Sequence, residues 1–275
     1  MRTFRDRVAV VTGAASGIGR ALAEELGRRG ARLAISDINE AGVAEVADRL
    51  RGQGVDVLDA KLDVADRDAV FAHADAVLDR FGTVNLVINN AGVALGATVS
   101  DVEWEDFEWL MNINFWGVVY GTKAFLPHLK AAGEGHIVNI SSVFGLIGVP
   151  TQSVYNAAKF AVRGFTEALR EELDIERCGV SATCVHPGGI RTNIARSARV
   201  GGLGPLERDP ASIGPDFDKV ARTSPEQAAR AILRGVRRNQ RRVLIGPDAV
   251  AIDLMQRLAP TGYQAVLSRL APVRR

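Results

Sequence analysis

The chain has 275 residues, a length that suits one α/β domain with a full hydrophobic core. Hydrophobic residues make up 47% of it and charged residues 24%, which excludes a mainly disordered chain. Its 34 basic and 32 acidic residues leave a net charge of +2, too small an excess for a nucleic-acid-binding surface.

Sequence features of several other protein classes are also missing. No run of about 18 uncharged apolar residues occurs, so we expect no membrane-spanning helix. Cys178, Cys184 and the four histidines have no metal-ligand spacing, so we expect neither a metal site nor a disulfide framework. The first residues lead into an apolar run too short for a signal peptide, and we expect a cytoplasmic protein.

Short apolar runs alternate with amphipathic segments along the chain. The predicted strands are residues 8–11, 32–36, 56–62, 85–89, 136–141, 181–185 and 242–245. The predicted helices are residues 19–29, 40–51, 66–81, 104–130, 153–177 and 225–238. Because the strand runs are continuously apolar, both faces of the sheet should be covered. This alternation predicts a three-layer, doubly wound, parallel seven-stranded sheet in a single domain, residues 1–275.

Residues 193–224 interrupt this rhythm with seven glycines and prolines and no clear period. Such a long irregular connection is either a disordered surface loop or a lid over a site at the carboxyl ends of the strands. Because the segment follows a strand end directly, we favour a substrate lid.

Residues 249–275 extend beyond the last predicted strand. Apolar residues recur there with helical spacing, and Pro260 divides them, so we expect two short helices with a bend between them. We favour an ordered cover held by its apolar stripe, either over the lid or against another subunit. The alternative is an amphipathic membrane anchor, which four arginines near the end would support.

A glycine-rich turn connects the first predicted strand to the first predicted helix. Its glycines allow close approach of the backbone to a phosphate, and the helix N-terminus offers free N–H groups. The residues predicted to bind a dinucleotide there are Gly13, Ser16, Gly17, Ile18 and Gly19.

Asp37 ends the second predicted strand, where a carboxylate can accept hydrogen bonds from ribose hydroxyls. The same carboxylate would repel a 2′-phosphate, and the next residue, Ile38, carries no positive charge to offset this repulsion. We therefore expect NAD to be preferred over NADP, although Arg20 could soften the preference.

Tyr155 and Lys159 lie four residues apart, on one face of a predicted helix. A free phenol has a pKa of about 10 and is a poor base at neutral pH. A neighbouring ammonium should lower that pKa, which suits proton transfer to or from an alcohol or carbonyl oxygen. Ser142, at the end of the fifth predicted strand, could hydrogen-bond the same oxygen.

These motifs together resemble the short-chain dehydrogenase/reductase family. Besides the glycine turn, the matching pieces are Asn89-Asn90-Ala91-Gly92, Asn114-Phe115-Trp116-Gly117, Ser142, Tyr155-x-x-x-Lys159 and Pro187-Gly188-x-x-x-Thr192. They occur in the order and spacing of that family, from about residue 6 to residue 250.

The resemblance implies a role for each matching position. Tyr155 would be the general acid/base, Lys159 would lower its pKa and bind the nicotinamide ribose, and Ser142 would hold the substrate oxygen. Asn114 would anchor a water that relays protons to Lys159. The other cofactor-binding residues would be Asp63, Val64, Asn90, Ala91, Gly92, Pro187, Gly188, Ile190 and Thr192, together with Ile38 and the glycine turn.

The function expected from these residues is NAD(H)-dependent interconversion of a secondary alcohol and a ketone. The alternatives are an NADP(H)-dependent ketoreductase and a dinucleotide-binding sensor or scaffold without catalysis. Candidate substrate-contacting residues are mostly apolar and indicate an apolar or cyclic, steroid-like substrate; they are Val93, Leu95, Ser142, Val143, Phe144, Leu146, Val149, Gln152 and Gly189. Surplus apolar residues on the predicted helices 104–130 and 153–177 favour a homodimer or homotetramer.

Overall fold

The structure is a computed structural model that describes residues 1, 3–206 and 221–270. Residues 207–220 of the predicted lid and residues 271–275 of the predicted C-terminal extension lie outside the described residues. Within the described part of the chain, no helix is both long and apolar enough to cross a membrane.

Seven parallel strands form the central sheet, in the order β3-β2-β1-β4-β6-β7-β9. They are β1 (Val8–Thr12), β2 (Arg32–Asp37), β3 (Val57–Lys61), β4 (Leu86–Asn89), β6 (Gly135–Ile140), β7 (Val180–Pro187) and β9 (Arg242–Ile245). The strand order reverses direction between β1 and β4, so a crevice opens there at the carboxyl ends of the strands. The predicted doubly wound parallel sheet is confirmed.

Helices cover both faces of the sheet. They are α1 (Gly17–Arg28), α2 (Glu40–Gly52), α3 (Arg67–Phe81), α4 (Trp104–Met111), α5 (Gly117–Ala131), α6 (Ser153–Glu176), α7 (Pro225–Arg237), α8 (Pro247–Leu258) and α9 (Gly262–Leu270). Buried residues of α1, α2 and α7 belong to one hydrophobic core, and those of α3, α5 and α6 to a second. The three predicted layers therefore enclose two large cores, and a smaller cluster forms around Leu95, Leu110, Val154 and Ala158.

The alternation of side chains along β1 explains why the sheet needs both cores. Ala9 and Val11 pack into one core, whereas Val8 and Val10 pack into the other, and all four are buried. Successive side chains of a strand point to opposite faces, so a strand with no polar position must be covered on both sides.

The predicted helix over residues 104–130 is continuous, but it contains a π-helical turn that the sequence did not indicate. The structure divides it into α4, a π-helical turn at Asn112–Trp116 and α5. Side-chain periodicity could not reveal this, because a π turn inserts one extra residue without changing the apolar character of the segment. The π turn positions Asn114, one of the predicted catalytic residues.

The described part of the predicted lid contains secondary structure that the sequence did not indicate. Strand β8 (Arg199–Val200) pairs in parallel with β5 (Leu95–Gly96), forming a second, two-stranded sheet. The Arg199 guanidinium lies 3.7 Å from the centre of the Trp109 ring and is ion-paired with Asp106 at 2.6 Å. This end of the segment is therefore fixed to α4.

The predicted pair of C-terminal helices is confirmed as α8 and α9. Most of the apolar stripe is exposed in the single chain, and its predicted packing over the lid or against another subunit stays a prediction. Val250 and Leu254 are each 55% exposed and Leu258 is 76% exposed, while Ala249 and Asp253 face inward. Spacing alone showed that the stripe exists, but the side of the helix that meets the sheet depends on tertiary packing.

Candidate active site

The predicted functional residues gather at one edge of the sheet. The strands β1, β2, β4, β6 and β7 run parallel, so all their carboxyl ends meet there. These ends carry the glycine turn, Asp37, Asn90, Ser142 and the turn after Pro187. Parallel strands thus bring together segments that are more than half the chain apart in sequence.

The glycine turn brings its backbone very close to neighbouring chain segments. A Cβ at Gly19 would overlap the carbonyl of Gly13, so only glycine allows this approach. Asn90 holds the turn through its side-chain amide, which donates to the carbonyls of Thr12 at 2.9 Å and Gly13 at 3.2 Å. The Thr12 hydroxyl in return accepts the N–H groups of Asn90 and Ala91, both at 3.1 Å.

The carboxylate of Asp37 is fixed in place at the end of β2. One oxygen accepts the N–H of Ala15 in the glycine turn, and the other accepts the N–H of Asn39, each at 2.9 Å. Ile38 beside it is 62% exposed, which leaves an apolar surface next to the carboxylate. This arrangement suits an adenosine, with its ribose against Asp37.

Asp63 and Val64 follow β3 on the same side of the sheet. The Asp63 carboxylate accepts the N–H of Ala65 at 2.9 Å, and Val64 is buried against Gly117 at the start of α5. Their predicted contact with adenine stays a prediction.

The turn after β7 crosses over the start of α1. Ile190 pairs with Thr223 through an isolated β-bridge, and Thr192 comes so close to Gly17 that a Cβ there would lie 3.1 Å from its methyl carbon. The predicted nicotinamide-side and phosphate-side residues are therefore adjacent, as one extended ligand requires.

Tyr155, Ser142 and Lys159 form the centre of the site. The Ser142 hydroxyl accepts the N–H of Phe144 at 3.1 Å, and the Ser142 side chain is close enough to the Tyr155 phenol to affect its pKa. The Lys159 ammonium donates to the carbonyl of Ile140 at 3.1 Å and lies 5.6 Å from the centre of the Tyr155 ring. The predicted trio is thus assembled by β6 and α6.

Burial dominates the acidity of this trio. Desolvation raises the pKa of Tyr155 to about 12, although the Ser142 side chain lowers it in part. Desolvation likewise lowers the pKa of the Lys159 ammonium to about 8. The sequence argument included the ammonium charge but not the loss of solvent, and the lowering of the Tyr155 pKa by Lys159 stays a prediction.

The π turn directs the side chain of Asn114 into the site. Its amide makes two hydrogen bonds of 2.8 Å to the backbone of Val93, accepting the N–H and donating to the carbonyl. A Cβ at Gly92 would lie 3.1 Å from the Asn114 carboxamide oxygen and 3.5 Å from Lys159 Nζ, so these three positions are neighbours. The role of Asn114 in proton relay stays a prediction.

The candidate substrate wall is only partly open. Leu95, Val143 and Leu146 are buried in the chain, whereas Phe144, Val149 and Gln152 are partly exposed. The Phe144 ring meets the Tyr155 ring edge-to-face, with 6.1 Å between their centres. Phe144 is therefore an apolar side chain in contact with the candidate reacting group.

Asn156 is a site residue that the sequence analysis missed. Its buried amide donates to the carbonyls of Phe144 at 2.7 Å and Ile147 at 2.8 Å, and it accepts the N–H of Val149 at 3.0 Å. It thus holds the loop that carries the substrate wall. Its position directly after Tyr155, on the buried side of α6, was the available signal.

The residues at this edge fit a dinucleotide. Among the described residues, no side chain caps α1 and no acidic residue occurs in its first turn, so the positive end of the helix is open to an anion. A cleft of about 200 Å³ lies beside it, with Gly17, Arg20, Arg191 and Thr192 among its lining residues. Glu24 and Glu226 line the same cleft. The binding of phosphates by the glycine turn stays a prediction.

The fold and the site together define a Rossmann-type oxidoreductase that binds a nicotinamide dinucleotide. A family model described as short chain dehydrogenase matches residues 7–201, and the chain belongs to this family. It is therefore a dehydrogenase/reductase, as the motifs predicted.

Individual relatives agree with this assignment. The chain is 51% identical over 269 residues to "Putative oxidoreductase SadH" of Mycobacterium tuberculosis, covering 98% of this chain and 96% of that one. It is 31% identical to the C alpha-dehydrogenase of a Sphingobium strain, covering 99% and 89% of the two chains. The crystal structure of a short chain dehydrogenase/reductase from Burkholderia phymatum in complex with NAD superposes with a TM-score of 0.86 at 29% identity, covering 100% and 99%.

Proposed function

We propose that the chain is a cytoplasmic, NAD(H)-dependent oxidoreductase that interconverts a secondary alcohol and a ketone on an apolar or cyclic, steroid-like substrate. The observation that carries this proposal is the meeting of Tyr155, Ser142 and Lys159 beside the dinucleotide-binding edge. A protein that only bound a dinucleotide would not need all three.

Tyr155 is the residue that moves the proton. In oxidation its Oη atom takes the hydroxyl proton of the alcohol, and in reduction it returns that proton to the carbonyl oxygen. The Ser142 hydroxyl holds the same oxygen by a hydrogen bond. The Lys159 ammonium attracts the phenolate and so opposes the burial that raises the pKa of Tyr155. Hydride transfer is the chemistry that a bound nicotinamide supplies.

The preference for NAD rests on Asp37. Its carboxylate is fixed by two N–H groups at the position expected for the ribose, and no positive charge follows at Ile38. A 2′-phosphate about 4 Å away would be repelled by up to ~4 kcal/mol per charge pair at an effective dielectric of about 20. Arg20 offers little compensation, since it is ion-paired with Glu24 at 3.2 Å.

An apolar substrate is supported by the surface near Tyr155. Phe144 and Val149 are partly exposed there, and burial of apolar area would contribute about 25 cal/mol per Å² before the costs of binding. Residues 193–224 would act as the lid, because the part of this segment at Arg199–Val200 is already anchored to β5 on the site's border.

A screen of alcohols with NAD, read at the absorbance of the reduced nicotinamide, tests the reaction. Bulky apolar secondary alcohols should be oxidised, and Tyr155→Phe should lower kcat by about 10² or more with little change in the Kd for NAD. Turnover confined to charged hydroxy acids or free sugars would refute the substrate class. A higher kcat/KM with NADP would favour the NADP(H)-dependent ketoreductase, and NAD binding without any turnover would favour the sensor.

We also propose that the chain forms a homodimer or homotetramer through the helices of residues 104–130 and 153–177. Trp104, Trp116 and Phe160 lie on these helices and are exposed in the single chain. Large exposed aromatic side chains are common at subunit contacts. Light scattering at micromolar concentration tests this proposal, and a monomeric mass would contradict it.

A further inference from the structure

Two walls border the candidate site, and each donates a backbone N–H to a side chain of the C-terminal helix pair. The cofactor-side wall is the turn at residues 187–190, and the substrate-side wall is the loop at residues 143–149. Helices α8 and α9 follow β9 and lie far from both walls in sequence. Their polar contacts with the walls are therefore decided by the tertiary fold alone.

Asp248, in the first turn of α8, contacts the cofactor-side wall. Its carboxylate accepts the N–H of Gly189 at 2.6 Å. The approach is so close that a Cβ at Gly188 would overlap the carboxylate, which explains why glycine precedes the bonded position. The N–H of Gly188 itself donates to the carbonyl of Ile245 at 2.9 Å, so the turn is tied to both β9 and α8.

Tyr263, in the first turn of α9, contacts the substrate-side wall. Its hydroxyl accepts the N–H of Gly148 at 3.0 Å. Among the side chains of α9 that the structure describes, Tyr263 alone is buried, while Val266 one turn later is 55% exposed. Tyr263 is therefore the residue that attaches α9 to the domain.

The substrate-side wall is held from two directions. Asn156 binds the backbone of Phe144, Ile147 and Val149 from the side of α6, and Tyr263 binds Gly148 between them from the C-terminal side. Ser142 directly precedes this wall, and its hydroxyl accepts the Phe144 N–H. Because this segment is short and hydrogen-bonded, a displacement of Gly148 would also shift the surface beside Tyr155.

We propose that the C-terminal helix pair positions both walls of the site, Asp248 the cofactor-side wall and Tyr263 the substrate-side wall. Both are positioning residues that act through backbone groups. The expected changes in KM rest on the proposed function, whereas the expected changes in hydrogen exchange and in NAD binding do not. Because the two contacts are on separate helices and separate walls, their effects should be separable.

Three variants test this division, with two matched controls. Asp248→Ala should weaken NAD binding about tenfold, measured as a Kd by titration calorimetry, and Asp248→Asn should restore it because one amide oxygen can still accept the Gly189 N–H. Tyr263→Phe should leave that Kd unchanged. Asp68→Ala, which removes a first-turn carboxylate from α3, and Tyr120→Phe on α5 should both behave as the wild type.

Hydrogen exchange read by mass spectrometry reports on each wall directly. Asp248→Ala should increase exchange in peptides that contain Gly188 and Gly189, and Tyr263→Phe should increase it in peptides that contain residues 144–149. With an alcohol that is turned over, Tyr263→Phe should raise the KM for the alcohol about threefold to tenfold, with the KM for NAD unchanged.

Two results would overturn the proposal. One is equal loosening of both walls by either variant, which would make the helix pair a general cover. The other is unchanged exchange and unchanged NAD binding in both variants. If the wild type oxidises no alcohol, the proposed function fails, but exchange and NAD binding still decide whether the helix pair positions the walls.

Discussion

Replacement of Lys159 by methionine should make the protein more stable while it removes activity. Lys159 is 4% exposed, and burial lowers the pKa of its ammonium from 10.5 to about 8. At 1.36 kcal/mol for each pH unit, that difference corresponds to ~3 kcal/mol of destabilisation at neutral pH. Methionine keeps most of the aliphatic stem and removes the charge. Loss of the hydrogen bond to the Ile140 carbonyl offsets about 1 kcal/mol.

The expected net result is a free energy of unfolding about 2 kcal/mol higher for Lys159→Met at pH 7. The difference in the free energy of unfolding between Lys159→Met and the wild type should depend on pH in a defined direction. Between pH 8 and 10.5 the unfolded lysine keeps a proton that the folded lysine has lost, so the stability of the wild type rises with pH. The advantage of the variant should therefore shrink across this window.

Urea unfolding at pH 7 and at pH 10 measures both quantities, provided that the two proteins have equal m-values. Lys123→Met, on the exposed side of α5, is the matched control and should change stability by no more than about 0.5 kcal/mol at either pH. kcat of Lys159→Met should fall by about 10² or more. A variant that is less stable than the wild type at pH 7, or whose gain is the same at pH 10, would refute the reasoning.

Three further predictions concern other parts of the chain. Asp37→Ala should narrow the ratio of kcat/KM for NAD over NADP, since it removes both a ribose acceptor and the repulsion of a 2′-phosphate; an unchanged ratio would show that this carboxylate does not select the cofactor. Burial lowers the pKa of His73 to about 4, so the folded protein binds fewer protons than the unfolded chain below pH 6.5 and stability falls toward pH 4. His73→Leu should reduce that loss by up to ~3 kcal/mol in urea unfolding, and an identical acid profile would contradict the burial argument. Deletion of residues 261–275 removes Tyr263 and should lower Tm or raise KM. The membrane anchor would be supported if the truncated protein matched the full chain in both Tm and KM and only the full chain bound vesicles.

The sequence by itself determined the class of fold and the composition of the central site. Strand and helix bounds agree with the structure to within two residues for most elements, because continuous apolar runs and helical periodicity are local properties. The glycine turn was recognisable because its position between a strand and a helix is also local. The proximity of Tyr155 to Lys159 followed from helix geometry alone.

The tertiary structure alone decided the features that depend on residues distant in sequence. Whether Tyr155 is more or less acidic than a free phenol depends on how much solvent its neighbours exclude, and spacing along a helix carries no information about that. Spacing along the chain likewise could not predict three other features. They are the π turn at Asn114, the pairing of β5 with β8, and the outward face of Leu254. The contacts of Asp248 and Tyr263 join segments separated by many residues, and only packing of the whole chain brings such groups within hydrogen-bonding distance.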